Sequence, residues 1–406
     1  MDIDPNSRFL LKSFRKYYRE NPPMMPERFS RREFGFMFFD RTFVQRHIGF
    51  RRPEELHKFL VSQVPSHSYY STAYYRRPDA PTMDEKTWLG ADLIFDLDAD
   101  HLAGADKMSY SEMLEQIKKE MINLVDSFLL GDLGFSDKDI SIVFSGGRGY
   151  HAHVPVESVI SLGSAERREI VDYVTGSGMN IDFIFPYNLV PTSTSNFGGQ
   201  MRTNIAKDRS IPSADSKGWK LRMRNGLFEL TQDICTMDVK DLKRTYPALS
   251  KSQSKTLLKL KEEVSKNQKY MFEKNLMTLL SKGNQELLVR VMKDDVAVRL
   301  SGEVDEPVTA DIKRLIRLPN SVHGKSGLRV TPLSRDALNG FDPLVDAVPS
   351  EYSDDPVKVT MKRDYKIRIK GEDFSLSGET EVPEYVAVFL VGRKAADYGY
   401  LSAKQQ

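Results

Sequence analysis

The sequence predicts an α+β protein with a discontinuous core: residues 1–185 and 296–406 form one unit, and residues 186–295 form a loop-rich and helical insertion. Three observations lead there. Up to about 185, short apolar and β-branched runs are interleaved with amphipathic helical stretches. The texture then turns to Pro, Ser, Thr, Gly and Asn, followed by highly charged helical sequence. From about 296 a short helix and alternating strands return. At 406 residues the chain can carry two structural units or one core with a sizeable insertion.

Taken in order, a helix is expected over 9–20, where Phe9, Leu10, Phe14 and Tyr17 or Tyr18 recur at helical spacing and "NPP" stops it. "ADLIFDLDA" reads as a strand. Its alternation sends Leu93, Phe95 and Leu97 to one face and Asp92, Ile94, Asp96 and Asp98 to the other. A helix over 110–130 opens with a capping box of Ser109 and Glu112, carries the stripe Met113, Ile117, Met121, Leu124 and Phe128, and can end at Gly131. "DISIVFSGGRGYHAHVPV" reads as strand, glycine turn and strand, with His151 and His153 on one face. Another helix follows near 164–175, capped by Ser164 and closed around Gly176. The stretch from 186 reads as loops or a linker, and roughly 250–295 as helix. Asp305 then precedes a short helix that would present Lys313, Arg314 and Arg317. Pro319 ends it, and "SVHGKSG" forms a turn carrying His323 and Lys325.

Composition narrows the function classes. With 40% hydrophobic and 29% charged residues this is ordinary globular sequence, and no apolar run approaches the roughly 18 residues of a membrane-spanning helix. The N-terminal stretch lacks the apolar segment and small-residue cleavage site of a secretory signal, so a cytoplasmic protein with no membrane association is expected. The single cysteine, Cys235, excludes an internal disulfide and any multi-cysteine zinc or iron–sulfur site within this sequence. A net charge of +2 does not by itself indicate a nucleic-acid partner. Residues 1–60 nevertheless carry thirteen Lys/Arg against eight Asp/Glu, interleaved with aromatics, which suits either a solvated basic face or single-stranded nucleic acid.

Asp96 and Asp98, two carboxylates on one strand face, suit a hard divalent cation, which takes oxygen ligands; they equally suit the wet side of an edge strand. In "SGGRG" the glycines allow backbone N–H groups close to phosphate oxygens, Arg148 offers a bidentate fork and His151 a donor. The same residues also make an ordinary tight turn. The Gly-Lys-Ser/Thr ending of a Walker loop is absent. Between 310 and 330, five Lys/Arg face one Asp, a local field suited to a triphosphate or a nucleic-acid backbone.

"FDLDADHL", "VFSGGRGYHAHV" and "VDEPVTADIKRLIRLPNSVHGKSGLRVTPL" closely resemble, in order and spacing, the catalytic small subunit of archaeal and eukaryotic DNA primase, in its archaeal form. "RREFGF", "FDPLVDAVP" and "VPEYVAVFLVGRK" extend the resemblance from near residue 30 to near 393. It implies a primase catalytic core with a mixed β-sheet and an inserted helical subdomain. Asp96, Asp98 and Asp305 would be the catalytic and metal-binding triad, holding two Mg²⁺ or Mn²⁺ ions. Ser145, Gly146, Arg148 and His151 would bind the triphosphate, with Arg317 and His323 as a second set of phosphate contacts. Glu33 and Arg46 fall in the family's N-terminal motif. The implied activity is synthesis of short primers from nucleoside triphosphates on a single-stranded DNA template, with an iron–sulfur large subunit as heterodimer partner. The family commonly carries a zinc knuckle after the first carboxylate motif. Here "HLAGADKMSYSEML" contains no cysteine, and no knuckle is expected. A repair or translesion primase-polymerase, a haloacid-dehalogenase-like phosphatase suggested by "LIFDLDAD", and a non-catalytic nucleic-acid-binding scaffold remain alternatives.

Overall fold

The computed structural model describes residues 4–102, 104–198 and 200–400. They form two compact units: Gly131–Leu133 with Asp172–Gly302 in one, and the remainder in the other. The second unit therefore begins before, and ends after, the change of texture at 186 and 295.

In the larger unit, helix α1 (Pro5–Glu20) starts earlier than apolar spacing alone suggests. Asp4 accepts hydrogen bonds from the N–H groups of Asn6 (3.0 Å) and Ser7 (3.1 Å), and Pro5 fits the first turn, where no N–H partner is needed. Phe9, Leu10, Phe14, Tyr17 and Tyr18 form its buried stripe. There follow β1 (Phe34–Met37), β2 (Gln45–Ile48), α2 (Pro53–Gln63), β3 (His67–Ser71) and β4 (Leu93–Asp98). Helix α3 (Tyr110–Asn123) opens with the expected capping box: Glu112 N–H donates to Ser109 Oγ (3.3 Å) and Ser109 N–H to Glu112 Oε2 (2.7 Å). It does not stop at Gly131. A π-helical stretch, Leu124–Asp132, carries it past that glycine and keeps Leu124, Val125, Phe128 and Leu129 buried. Strands β5 (Ser141–Phe144) and β6 (Gly149–Val154) form the hairpin, and α4 (Glu306–Ala310), β7 (Leu315–Arg317), β8 (Thr331–Leu333) and α5 (Glu384–Gly392) complete the elements around the site.

These strands make two four-stranded sheets, in the orders β7-β3-β1-β2 and β8-β5-β6-β4. The α+β class holds, and the mixed sheet expected of the core resolves into separate sheets in which every pairing between described strands is antiparallel. Ser164 is the first residue of the helix Ser164–Thr175 rather than its cap, and Gly176, at φ +67°, closes it as expected.

Two further expectations change. Lys313, Arg314 and Arg317 do not lie on one helix. The helix ends at Ala310, and Leu315–Arg317 is a strand that pairs with Ser71, Tyr70 and Tyr69, because an exposed sheet edge satisfies its backbone where "DIKRLIR" has no packed face of its own. Residues from 186 are not loop either. In the smaller unit Tyr187–Phe197 and Gln200–Arg209 form one long antiparallel hairpin turning at Gly198 (φ +61°). Its polar, Pro-containing sequence lacks apolar alternation, but Val190, Thr192 and Thr194 supply β-branched residues at every second position. The rest of that unit is helical, with Met223, Leu227 and Leu230 of Gly218–Thr236 and Leu257, Leu260 and Val264 of Ser254–Lys274 buried where the two helices pack. No described helix is long and apolar enough to cross a membrane.

Candidate active site

The site lies in the larger unit, in a cleft of about 640 Å³ lined by the ends of β4, β6 and β7 and by two turns. Strand alternation places Asp96 and Asp98 on the cleft face of β4, as the sequence indicates, while Leu93, Phe95 and Leu97 are buried behind them. Asp92, which shares their period, is spent elsewhere: it is buried with Arg32 (2.6 Å) and Tyr74. Opposite Asp96 in the ladder stands His151, whose Nε2 lies 3.2 Å from Asp96 Oδ1. Burial alone would raise the Asp96 pKa, but His151, Arg314 and Arg317 outweigh it and hold the carboxyl below its ordinary value. His151 is thus engaged by Asp96, and its Nδ1 is buried without a hydrogen-bond partner among the described residues.

The third carboxylate arrives from far along the chain. Asp305 N–H donates to Asp96 O (2.9 Å), which fixes the start of α4 against β4. Its side chain caps no helical N–H, and it lines a smaller hollow with Asp96, Asp98 and Glu303. Asp98 Oδ1 accepts from the N–H of Asp100 (3.1 Å), and Asp100 in turn pairs with Arg148 across the cleft mouth.

The glycine turn is shaped by what lies under it. Gly146 has φ +76°, and a Cβ there would sit 2.7 Å from His323 Cβ and 3.1 Å from Leu328 O, so only glycine fits. Ser145 Oγ accepts from the N–H groups of Gly147 (3.3 Å) and Gly149 (3.2 Å), which rigidifies the turn. His323 Nδ1 is 3.1 Å from Ser326 Oγ, and that hydroxyl donates to Gly146 O. The two loops therefore form one body. His323 is buried, and burial, helped by Arg317, His67, Lys325 and Arg393, pushes its pKa far down, so it is neutral. Ser145, Arg148, His151, Arg317 and His323 all line the cleft, and Gly146 lies beneath His323.

Comparison with known proteins settles the family. A family model described as DNA primase small subunit matches residues 95–335. The DNA primase small subunit PriS of Methanocella arvoryzae is 45% identical, with 97% of this chain and 99% of that protein covered. The subunit of Methanococcoides burtonii is 42% identical over 98% and 100%, and that of Picrophilus torridus 39% over 96% and 97%. The chain belongs to the DNA primase small subunit family. It is a catalytic primase subunit, a nucleotidyltransferase of DNA replication from a family that uses divalent metal.

Some cleft residues of this primase subunit carry no signal in their own stretch of sequence. Tyr69 reaches the cleft from β3, and Arg317 lies over its ring at 4.6 Å. Arg393 and Lys394 follow α5, with Arg393 stacked on Tyr110 at 4.1 Å. The clustered basic residues after a glycine in "VGRKA" are the one hint that the sequence offers. Glu33 and Arg46 lie outside the cleft lining. Glu33 is fully buried, with Arg46 gripping both its oxygens at 3.1 Å, His47 N–H at 2.9 Å and Lys86 at 3.3 Å. Its position is that of a packing hub.

Proposed function

We propose that Asp96, Asp98 and Asp305 hold two divalent ions, Mg²⁺ or Mn²⁺, and that Ser145, Gly146, Arg148, His151, Arg317 and His323 receive the triphosphate of an incoming nucleotide. The observation that carries this reading is the meeting of carboxylates and cations in one cleft, whose lining includes Asp96 and Asp98 together with Arg148, Arg314, Arg317 and Lys325. The donor chemistry fits a hard cation, since all three groups are carboxylates and Asp96 is held ionised. Among the described residues no three His, Cys, Asp or Glu side chains stand together as a ready cage. Asp305 makes no side-chain capping bond to its helix and lines one hollow with the other two.

In the reaction, the primer 3′-oxygen forms a bond to the α-phosphorus as the bond to the bridging oxygen of pyrophosphate breaks, and the hydroxyl proton passes to solvent water. Bound divalent ions supply Lewis-acid stabilisation of the entering and leaving oxygens. The chain itself orients and neutralises. Arg317, pinned over Tyr69, and Arg148, held at the mouth by Asp100, present positive charge where the leaving group gathers negative charge, worth roughly 3 kcal/mol per well-placed donor. The Ser326 hydroxyl gives its proton to Gly146 O, so neutral His323 donates Nδ1–H to Ser326 Oγ and keeps a lone pair on Nε2; it shapes the phosphate site and leaves donation to the arginines. The template is single-stranded DNA, and the partner is a primase large subunit carrying the iron–sulfur cluster that this chain, with one cysteine, cannot hold.

Asp96→Asn and Asp98→Asn are expected to reduce primer synthesis on unprimed single-stranded template by at least about 1000-fold at unchanged circular dichroism, in line with loss of a metal ligand. Full activity in either purified variant overturns the assignment. Extension of a supplied primer without synthesis on unprimed template would instead indicate a repair polymerase.

A further inference from the structure

His67 opens β3 and is 96% buried, yet no motif of the chain points to it. Its Nδ1 is approached by two donors at once: Arg317 Nη1 and the backbone N–H of Gly324, the latter at 3.2 Å. A guanidinium and an amide N–H cannot accept, so Nδ1 carries the lone pair and the ring proton sits on Nε2. The surroundings enforce this form. Burial, with Arg317 and Lys325 nearby, pushes the imidazole down to about 2, so it stays neutral at any working pH.

The neighbours of His67 are those assigned above to the triphosphate. Tyr69 lies two residues along β3 on the same face, and β7 pairs with β3 so that Arg317 stands opposite Tyr69. The Arg317 guanidinium is thus held by the Tyr69 ring at 4.6 Å and by the His67 nitrogen. The rings of His67 and His323 meet edge to face at 4.7 Å. Gly324 lies so close to β3 that a Cβ there would be 2.6 Å from Ser66 O, which fixes the distance over which its N–H reaches Nδ1. One acceptor atom therefore joins β3, β7 and the turn carrying His323.

We propose that His67 is a positioning residue for nucleotide binding: by accepting from Arg317 and Gly324 at a single nitrogen, it fixes the guanidinium and the His323 turn in the arrangement that receives the triphosphate. This rests on the assignment of Arg317 and His323 to the triphosphate. An arginine with this length of side chain has many rotamers, and ordering it in advance removes an entropic cost from the binding step. The effect falls on the KM for nucleotide, because the contact is made before the chemical step as well as during it.

The test is steady-state nucleotide incorporation on a primed template by the full chain, as wild type, His67→Leu, His67→Asn, Arg317→Ala and the double variant His67→Leu/Arg317→Ala. His67→Leu keeps bulk and removes the acceptor, whereas the Asn Oδ1 lies near the place of Nδ1 and restores it. The expected result is a KM raised about tenfold in His67→Leu, the effect of losing one hydrogen bond to a charged group, with kcat within about threefold. His67→Asn should stay within about threefold of wild type in both, and the double variant should fall short of the product of the single effects. An unchanged KM in His67→Leu with a raised KM in Arg317→Ala overturns the role of His67 alone. An unchanged KM in Arg317→Ala overturns the assignment of the phosphate site on which it rests. Equal impairment of the Asn and Leu variants also overturns it, since only packing would then matter. Should the leucine variant not fold, His67→Asn against His67→Ala in the same assay decides, with recovery by Asn alone expected and equal loss in both refuting.

Discussion

Gly149 is the residue of β6 directly opposite Asp98, and its missing side chain sets the spacing of the strand that carries two of the carboxylates. A Cβ at this position would lie 2.3 Å from Leu97 O and 3.3 Å from Asp98 Cα. Contacts of Cβ with such an atom stop near 3.0 Å, so Gly149→Ala must part β4 from β6 by about 0.7 Å at the point where Asp98 leaves the ladder. Both obstructing atoms are backbone, and no side chain can swing aside. Overpacking of this kind costs about 1–3 kcal/mol of stability, and a displacement approaching 1 Å at a reacting group can cost up to about 100-fold in rate. Gly149→Ala is therefore expected to retain its circular dichroism spectrum, melt earlier, and lose about 10- to 100-fold in kcat for nucleotide incorporation. Gly283→Ala is the matched control, because it meets open space within its helix. Its activity should be unchanged and its stability equal or up to about 1 kcal/mol higher. A Gly149→Ala protein with kcat within twofold of wild type and unchanged melting would show that strand spacing does not set the carboxylate position.

Two further outcomes are expected. Glu33→Ala leaves Lys86 and Arg46 without their shared carboxylate, and since the Lys86 side chain is fully buried the loss should be about 3–5 kcal/mol in urea denaturation; a change below about 1 kcal/mol would show the hub to be dispensable. His67 and His153 are both buried, the first pushed to about 2 and the second to about 3 by burial foremost, so in the folded chain neither takes a proton until far below the unfolded value of about 6.5. Below that value the unfolded chain binds more protons than the folded one, and stability must fall as pH falls, by up to about 1.4 kcal/mol per histidine per pH unit. Denaturation at pH 7.5, 6.5 and 5.5 should show a plateau and then a decline, with a shallower decline in His153→Phe; a flat profile would refute the neutral buried state.

The parts of the site legible in the sequence are those set by local pattern. "LIFDLD" alternates cleanly, so the shared face of Asp96 and Asp98 follows from strand geometry alone. The glycine turn is legible for the same reason, as its conformation is dictated by Gly146 itself. Local pattern points Arg317 to a helix, since Ile312, Leu315 and Ile316 fall near helical spacing, and only the edge of β3, some 245 residues earlier, turns that segment into a strand. The hairpin Tyr187–Arg209 hid behind polar composition, since its ladder is satisfied by its own two halves rather than by an apolar face. His67 is silent because it acquires its place only through residues distant in the chain, and Arg393 has only the basic pair after a glycine to announce it.

The bond from Asp305 N–H to Asp96 O has a consequence in time. The main segment of the smaller unit runs from Asp172 to Gly302 and ends only three residues before Asp305. During synthesis at roughly 5–20 residues per second, about 10–40 s separate the emergence of Asp98 from that of Asp305, and His323 follows later still. Until then a nascent chain displays two acidic groups without the third carboxylate of the proposed triad and with none of the basic turn. On the site assignment proposed above, the growing polypeptide is therefore inert while it is tethered to the ribosome, and the capacity to join nucleotides arrives only with the last quarter of the protein.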